Sequence, residues 1–287
     1  TINTLIEGNS PSIMAKSTGL GVIELATAFE RLKPDIVITI GDRFETMSTV
    51  LAASYMNIPI AHTMGGEISG NIDESIRHAI TKFAHIHFPA SKSAYSRIIK
   101  LGEEKKFVKL VGCPRIDLVS QILKNRELNI DDLFDSGVGK KINIDGKFLL
   151  VSFHPVTSEY GESGQHMKTI LNEIEKLNIP SIILWPNSDA GTDDVSKSIR
   201  KFREQKRDYN MHFFINLPIE RYVYLMSKTA CLVGNSSSGI REGAFIGTPV
   251  VNIGNRQAGR EIGNNVINSS YKPNSIKNSI LSQIKRT

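Results

Sequence analysis

Nine consecutive residues, Gly234-Asn235-Ser236-Ser237-Ser238-Gly239-Ile240-Arg241-Glu242, hold the densest chemistry in the chain. They follow the apolar run Cys231-Leu232-Val233, which reads as a buried strand, and lead into Ala244-Phe245-Ile246, which reads as a short helix. The two glycines permit a tight turn. Three hydroxyls then gather with free backbone N–H groups at a helix start. Such groups, with the helix dipole, attract negative charge, so a phosphate or diphosphate is the expected guest. A carboxylate cannot hold a phosphate, so Glu242 suits two neighbouring hydroxyls, such as those of a ribose. A plain serine-capped helix explains the same three serines; this segment alone leaves both readings open.

The elements that must position these residues are short apolar runs alternating with helical patterns. Strands are expected over 35–40, 59–64, 86–90 and 108–111, then over 148–153, 181–185, 211–217, 231–233, 249–253 and 265–267. Helices are expected over 13–32, 45–56, 72–83, 92–101, 115–123, 166–177, 193–205, 219–227 and 275–284. Continuous Ile/Val/Leu strands, buried on both faces, mark a parallel sheet. Their alternation with helices marks repeated βαβ units. The polar segment 125–147, rich in Asp, Lys and Gly, breaks that rhythm. It reads as the junction between two Rossmann-like domains, residues 1–130 and 131–287. The first lacks the Gly-rich strand–turn that normally opens such a domain, and so reads as short of one or two βα units at its amino end.

Ligands of open α/β sheets bind outside the carboxyl ends of the strands. The residues found there are Gly41-Asp42-Arg43, Gly65-Gly66-Glu67, His154-Pro155, Pro186-Asn187-Ser188-Asp189 and Gly254-Asn255-Arg256-Gln257. Acidic groups collect in the first domain, and amide and anion-binding groups in the second. That division suits nucleotide-sugar chemistry across a cleft. Other roles compete. Asp42 also fits a helix cap. Asp73 and Glu74 open a helix, where carboxylates favour the dipole, and Arg77 lies one turn beyond Asp73, within pairing distance. His62, His78, His85 and His87 fit core or surface positions, whereas His154 stands where a ligand would. No tight His/Asp/Glu spacing of a metal site is present.

Bulk properties narrow the classes. With 287 residues, 40% hydrophobic and 22% charged, the chain reads as a globular protein of one large or two ordinary domains. It has no run of eighteen apolar residues that would span a membrane, and no basic-then-apolar signal segment opens it. Its two cysteines, Cys113 and Cys231, are too few for a disulfide framework or structural zinc, and read as buried thiols in a reducing, cytoplasmic setting. The net charge of +6 is spread along the chain and aromatics make up only 7%, which argues against nucleic acid. A basic surface suits an anionic small substrate.

In their order, these segments resemble the UDP-N-acetylglucosamine 2-epimerases, hydrolysing branch. The matching stretches are Gly41-Asp42-Arg43-Phe44-Glu45, Gly65-Gly66-Glu67-Ile68-Ser69-Gly70, Ile72-Asp73-Glu74-Ser75-Ile76-Arg77-His78 and Gly112-Cys113-Pro114. They continue through His154-Pro155-Val156-Thr157, Pro186-Asn187-Ser188-Asp189-Ala190-Gly191, the Gly234–Glu242 turn, Gly247-Thr248-Pro249 and Arg256-Gln257. Each is weak alone; the ordered series is specific and spans nearly the whole chain. The resemblance implies a GT-B-like fold of two Rossmann-type domains around a cleft. It implies conversion of UDP-N-acetylglucosamine and water into N-acetylmannosamine and UDP, a step towards sialic-acid-type sugars, with no metal or redox cofactor. By the same resemblance, His154, Asn187, Leu217, Ser236, Ser237, Glu242 and Arg256 hold UDP, and Arg43 and Arg77 approach the substrate. Asp42, Glu67, Asp73 and Glu74, with His154, supply the acid–base chemistry. A homodimer or homotetramer is expected on the same ground.

Two departures stand out. The family's basic, glycine-containing turn after its first strand has no counterpart in this sequence. Many members also carry an acidic residue two positions after the histidine equivalent to His62; here that residue is Met64, and a thioether cannot move a proton. Related branches act on 4-amino-6-deoxy sugars. Three other functions share the motifs: a non-hydrolysing epimerase, a GT-B glycosyltransferase and a nucleotide-sugar sensor.

Overall fold

A computed structural model describes residues 2, 4–8, 10–69, 72–125, 130, 132–156, 159–187, 191–205 and 209–286. Gly70, Thr157 and Ser188-Asp189-Ala190 of the motifs above, and positions 126–129 and 131 of the polar junction, lie outside the described residues. The chain forms two compact units, Thr1–Pro114 and Arg115–Thr287.

In the first unit, strands and helices alternate: α1 (Pro11–Leu32), β1 (Val37–Ile40), α2 (Phe44–Tyr55), β2 (Ile60–Thr63), α3 (Ile72–Phe83), β3 (Ile86–Phe88) and α4 (Lys92–Lys100). Ser10 starts α1 by accepting the Ile13 N–H, and Pro11 occupies the first turn, where its missing N–H costs nothing. The three strands are parallel in the order β1-β2-β3, with Val37 opposite Ile60 and Ala61 opposite Ile86. Val37, Val50, Ile60 and Ile80 form the centre of its core.

Two expectations fail in this unit. Strand β1 is buried on one face only, because Ile38 and Ile40 are 66% and 69% exposed at the sheet edge. No strand forms over 108–111. Val108 makes a single bridge to His87, and the Lys109 and Val111 N–H groups donate to the His87 and Pro89 carbonyls, but Leu110 and Val111 stay exposed.

The second unit contains α5 (Pro114–Lys124, whose first residue closes the first unit), β4 (Val138–Gly139), β5 (Leu149–Ser152), α6 (Ser163–Leu177), β6 (Ser181–Leu184), α7 (Thr192–Gln205) and β7 (Met211–Phe214). It continues through α8 (Ile219–Lys228), β8 (Cys231–Gly234), α9 (Ser237–Ile240), α10 (Glu242–Ile246), β9 (Val250–Ile253), β10 (Val266–Ser269) and α11 (Pro273–Ile284). The sheet runs β10-β9-β8-β5-β6-β7-β4, parallel except for the edge strand β4. Alternate residues of β5 enter different cores. Leu149 and Val151 pack with Met167, Ile170, Val195 and Ile280 from α6, α7 and α11, while Leu150 packs with Leu225 and Met226 of α8. Fully burying each such side chain contributes about 1.5–3 kcal/mol.

The polar segment 125–147 is not a bare linker. Leu133 and Ile142 anchor it in the core around α8, and β4 pairs it to β7. Those few apolar anchors are diluted by Asp, Lys and Gly, which hid the segment's attachment in the sequence. The two compact units divide between Pro114 and Arg115.

The strand order also locates a crevice. From β5 the chain builds outward through β6 and β7, then returns to the other side of β5 and builds β8, β9 and β10. The loops after the adjacent strands β5 and β8 therefore leave in opposite directions, which opens a switch-point crevice at their carboxyl ends.

Candidate functional site

That crevice holds the serine turn. Gly234 ends β8 at φ 141°, and a Cβ there would collide with the Ser152 carbonyl of β5. Asn235 is fully buried and ties three loops together. Its side-chain oxygen accepts the His154 N–H at 2.8 Å, and its amide donates to the His154 carbonyl at 2.8 Å. Its own carbonyl accepts from Gln257 Nε2 at 2.8 Å and from Arg256 Nη1 at 3.3 Å. Asn235 thus sets the backbone at His154 through its side-chain amide and holds the loop that carries Arg256 through its main-chain carbonyl. The sequence marks Asn235 only by its place directly after a strand-ending glycine.

His154 is oriented by a second bond. Its Nδ1 accepts the backbone N–H of Asn187 at 3.2 Å. In the neutral ring the proton then sits on Nε2, 3.4 Å from Ser152 Oγ, so His154 offers a donor to the crevice.

The serines divide their tasks. Ser238 is buried and turned inward, with its Oγ 2.5 Å from the Tyr222 hydroxyl and 2.8 Å from Ser236 Oγ. Burial pushes the Tyr222 phenol up to about 12, so it keeps its proton. Ser236 caps α9 by accepting the Ser238 N–H, and Ser236 and Ser237 stay half-buried at the crevice. Helix α9 is only four residues long, and the chain bends at Arg241 into α10. The single short helix expected at 244–246 is therefore two helices, and Glu242 opens the second. Little macrodipole builds up in one turn, so what the turn offers a ligand is N–H groups, hydroxyls and the His154 ring.

A cavity of about 350 Å³ lies over this turn, lined among others by Arg115, His154, Trp185, Leu217, Ser237 and Glu242. The Glu242 side chain is 8% exposed, and its Oε1 accepts from Arg115 Nε at 3.1 Å. Arg115 and Tyr222 escaped the sequence reading, because each meets the turn only through folding. Asn187 and Arg256 stand behind the cavity lining, Asn187 as the support of His154 and Arg256 against the Asn235 carbonyl.

In the first unit, Asp42 forms an ion pair with Arg77. Arg77 is 1% exposed and its Nη1 also donates to the Glu67 carbonyl at 2.7 Å. Arg77 thus reaches beyond its own helix, to a carboxylate of the β1–α2 loop. Asp42 does not cap α2, whose first-turn N–H groups receive no side-chain cap. Glu74 Oε2 accepts the Ser69 N–H at 2.7 Å, which commits one of its oxygens to the loop. Arg43 is 41% exposed in its side chain and pairs with Glu45 at 3.1 Å. Glu67 and Asp73 lie in the same β2–α3 region, Glu67 half-buried and Asp73 in the first turn of α3. Met64 is buried, with φ at 63°, a left-handed backbone uncommon outside glycine. Of the cysteines, Cys231 is buried as expected, with its thiol pushed up to about 12 by desolvation, whereas Cys113 is only half-buried. Among the described residues no group of three His, Cys, Asp or Glu side chains is placed to hold a metal ion, and no helix is long and apolar enough to cross a membrane.

His62 is fully buried, with Nε2 2.8 Å from the Gly41 carbonyl. Desolvation pushes its pKa from 6.5 down to about 4. The unfolded chain therefore binds this proton more readily, and stability falls as pH drops from 6.5 towards 4. The shift corresponds to about 3 kcal/mol at the acid end. Urea midpoints measured across that range are expected to fall, and less steeply for His62→Asn; an equal acid dependence in the variant would reject this role.

Parallel-sheet α/β units, the second with a hydroxyl- and N–H-lined crevice at its switch point, define the GT-B-like class. The model of the UDP-N-acetylglucosamine 2-epimerase family matches residues 1–286, and the chain belongs to that family. It is 35% identical over 270 residues to a GDP/UDP-N,N'-diacetylbacillosamine 2-epimerase (hydrolyzing) of Campylobacter jejuni, covering 93% of this chain and 68% of that protein. It is 30% identical over 254 residues to a UDP-N-acetylglucosamine 2-epimerase of Neisseria meningitidis, covering 88% and 64%. The chain thus spans about two thirds of the length of these relatives. A crystal structure of a Neisseria meningitidis UDP-GlcNAc 2-epimerase bound to UDP-GlcNAc superposes with a TM-score of 0.80 at 20% identity, over 98% of this chain and 76% of that one.

Proposed function

We propose that this protein is a hydrolysing 2-epimerase of a UDP-linked 2-acetamido sugar, with UDP-N-acetylglucosamine as substrate and N-acetylmannosamine and UDP as products. The observation that carries this reading is the crevice of the second unit, where serine hydroxyls, the His154 N–H and a buried carboxylate line one cavity. Hydroxyls and N–H groups suit a diphosphate, and Glu242 suits the ribose diol. The acid–base groups are assigned to the first unit, with Asp42 as the base and Glu67, Asp73 and Glu74 as supporting acids. The carbon-2 proton of the sugar is weakly acidic, and UDP leaves well. A carboxylate takes the proton as the C1–O bond breaks, giving an unsaturated sugar and UDP. Water then adds across the double bond with a new proton on the opposite face of carbon 2. Each positioned acid–base group contributes about 10²–10⁴-fold.

A second substrate has specific support. Relatives from Campylobacter jejuni and Legionella pneumophila, 35% and 33% identical, carry the name of UDP-N,N'-diacetylbacillosamine 2-epimerases. Met64 puts a buried apolar side chain at the position where many family members have an acid, which suits a less polar 6-deoxy sugar. Incubation with each UDP-sugar in water, followed by NMR of the products, decides. Free N-acetylmannosamine supports the first substrate and a free 2,4-diacetamido sugar the second. UDP-N-acetylmannosamine would mean the non-hydrolysing reaction, and no reaction without an acceptor would support a transferase.

The cradle has its own test. Ser237→Ala combined with Arg256→Ala is expected to weaken UDP about 10- to 100-fold by calorimetry: Ser237 loses a hydrogen bond to a charged group, worth about 1.5–3 kcal/mol, and the Asn235 carbonyl beneath the serine turn loses its Arg256 donor. Unchanged affinity would place the nucleotide elsewhere.

A further inference from the structure

We infer that Arg115 is a positioning residue for ribose recognition, acting through Glu242. This rests on the nucleotide reading above and assigns a task to a residue that reading leaves out. Arg115 is the second residue of α5 and lines the same cavity as Ser236, Ser237 and Glu242. Its Nε donates to Glu242 Oε1 at 3.1 Å across 127 residues of sequence.

The two partners differ in exposure. The Glu242 side chain is 8% exposed and that of Arg115 46%. A carboxylate taken so far out of water needs a charged or hydrogen-bonding partner. Among the described residues Arg115 is the one cation paired with it. Glu242 is the first residue of α10, so its backbone is set by the turn, and the Arg115 bond fixes the remaining freedom of its side chain. The result is a carboxylate held in place at the cavity wall. Oε2 accepts no hydrogen bond among the described residues, and Oε1 keeps a second lone pair. A vicinal diol offers two O–H donors side by side, which a held carboxylate meets with both oxygens. Without Arg115 the side chain is free to turn to water, and its two oxygens no longer face the cavity as a fixed pair of acceptors. The guanidinium thereby makes the pocket demand both ribose hydroxyls while touching neither.

The test is a calorimetric titration of the whole chain with UDP and with 2'-deoxy-UDP. The unsubstituted protein is expected to prefer UDP by about 10- to 100-fold, the worth of one hydrogen bond to a charged group. Arg115→Gln is expected to bring that ratio close to one by weakening UDP, with 2'-deoxy-UDP little changed. Arg115→Lys restores part of the ratio, because a cation returns without the forked geometry. Glu242→Gln collapses the ratio as well, and Arg115→Gln adds nothing further to it. Equal weakening of both nucleotides by Arg115→Gln would instead make Arg115 a phosphate contact and overturn the inference, as would an unchanged ratio. Equal binding of the two nucleotides by the unsubstituted protein overturns the inference but leaves the nucleotide reading standing. No binding of UDP at all removes the reading itself.

Discussion

Asp42→Asn is expected to lower turnover of the UDP-sugar by about 10²–10⁴-fold while UDP still binds. The substitution removes the proposed base but keeps its shape. Its cost is also structural, because Asp42 is a carboxylate paired with Arg77, and Arg77 is 1% exposed. Breaking a buried pair from one side costs about 3–5 kcal/mol. The amide oxygen of the substituted side chain still accepts a hydrogen bond, and the Asp42 side chain is 20% exposed, so the lower end of that range applies. Two measurements separate the effects. Single-turnover product formation reads the chemistry, and thermal melting reads the loss of the pair. Turnover within about threefold of the original, well short of what a positioned base contributes, would remove Asp42 from the mechanism. Glu74→Gln makes a useful contrast, since Glu74 already gives one oxygen to the Ser69 N–H. If Glu74→Gln abolishes turnover and Asp42→Asn does not, the base is Glu74 and the Asp42–Arg77 pair serves the fold.

Gly234→Ala is expected to disrupt the second unit itself. At φ 141° an L side chain is strained, which costs about 1–3 kcal/mol. The added methyl also meets the Ser152 carbonyl within a tightly paired sheet, where β5 and β8 run side by side. Overpacking adds about 1–3 kcal/mol. The sum is a large share of the ~5–15 kcal/mol that holds a typical domain folded. For a unit of this size it lowers the melting temperature by about 5–20 °C. UDP binding should disappear with it, because Asn235, next in sequence, sets the backbone of His154. Gly247→Ala is the control. It also has a positive φ, 86°, but faces open space, so it carries the strain without the collision. Equal melting temperatures for the two variants would show that the contact with Ser152 relaxes without cost.

The sequence by itself determined the alternating parallel α/β organisation, the serine turn after Cys231-Leu232-Val233, and the loops bearing Asp42, His154 and Asn187. These are local properties. Strand and helix periods, strand-ending glycines and residue order are written within a few positions of one another, and the carboxyl-end rule then points to the loops. Only the tertiary structure decided the partners. Arg77 holds Asp42, which lies 35 positions away on another element. Arg115 reaches Glu242 across 127 positions. Asn235 joins the loops after β5, β8 and β9. The run at 108–111 meets the sheet in a single bridge, and its Leu110 and Val111 stay exposed. A polar segment proves attached because Leu133 and Ile142 find a core. In each case the outcome depends on strand order and register. Those set which distant side chains meet, and a residue's near neighbours in the sequence carry no record of them.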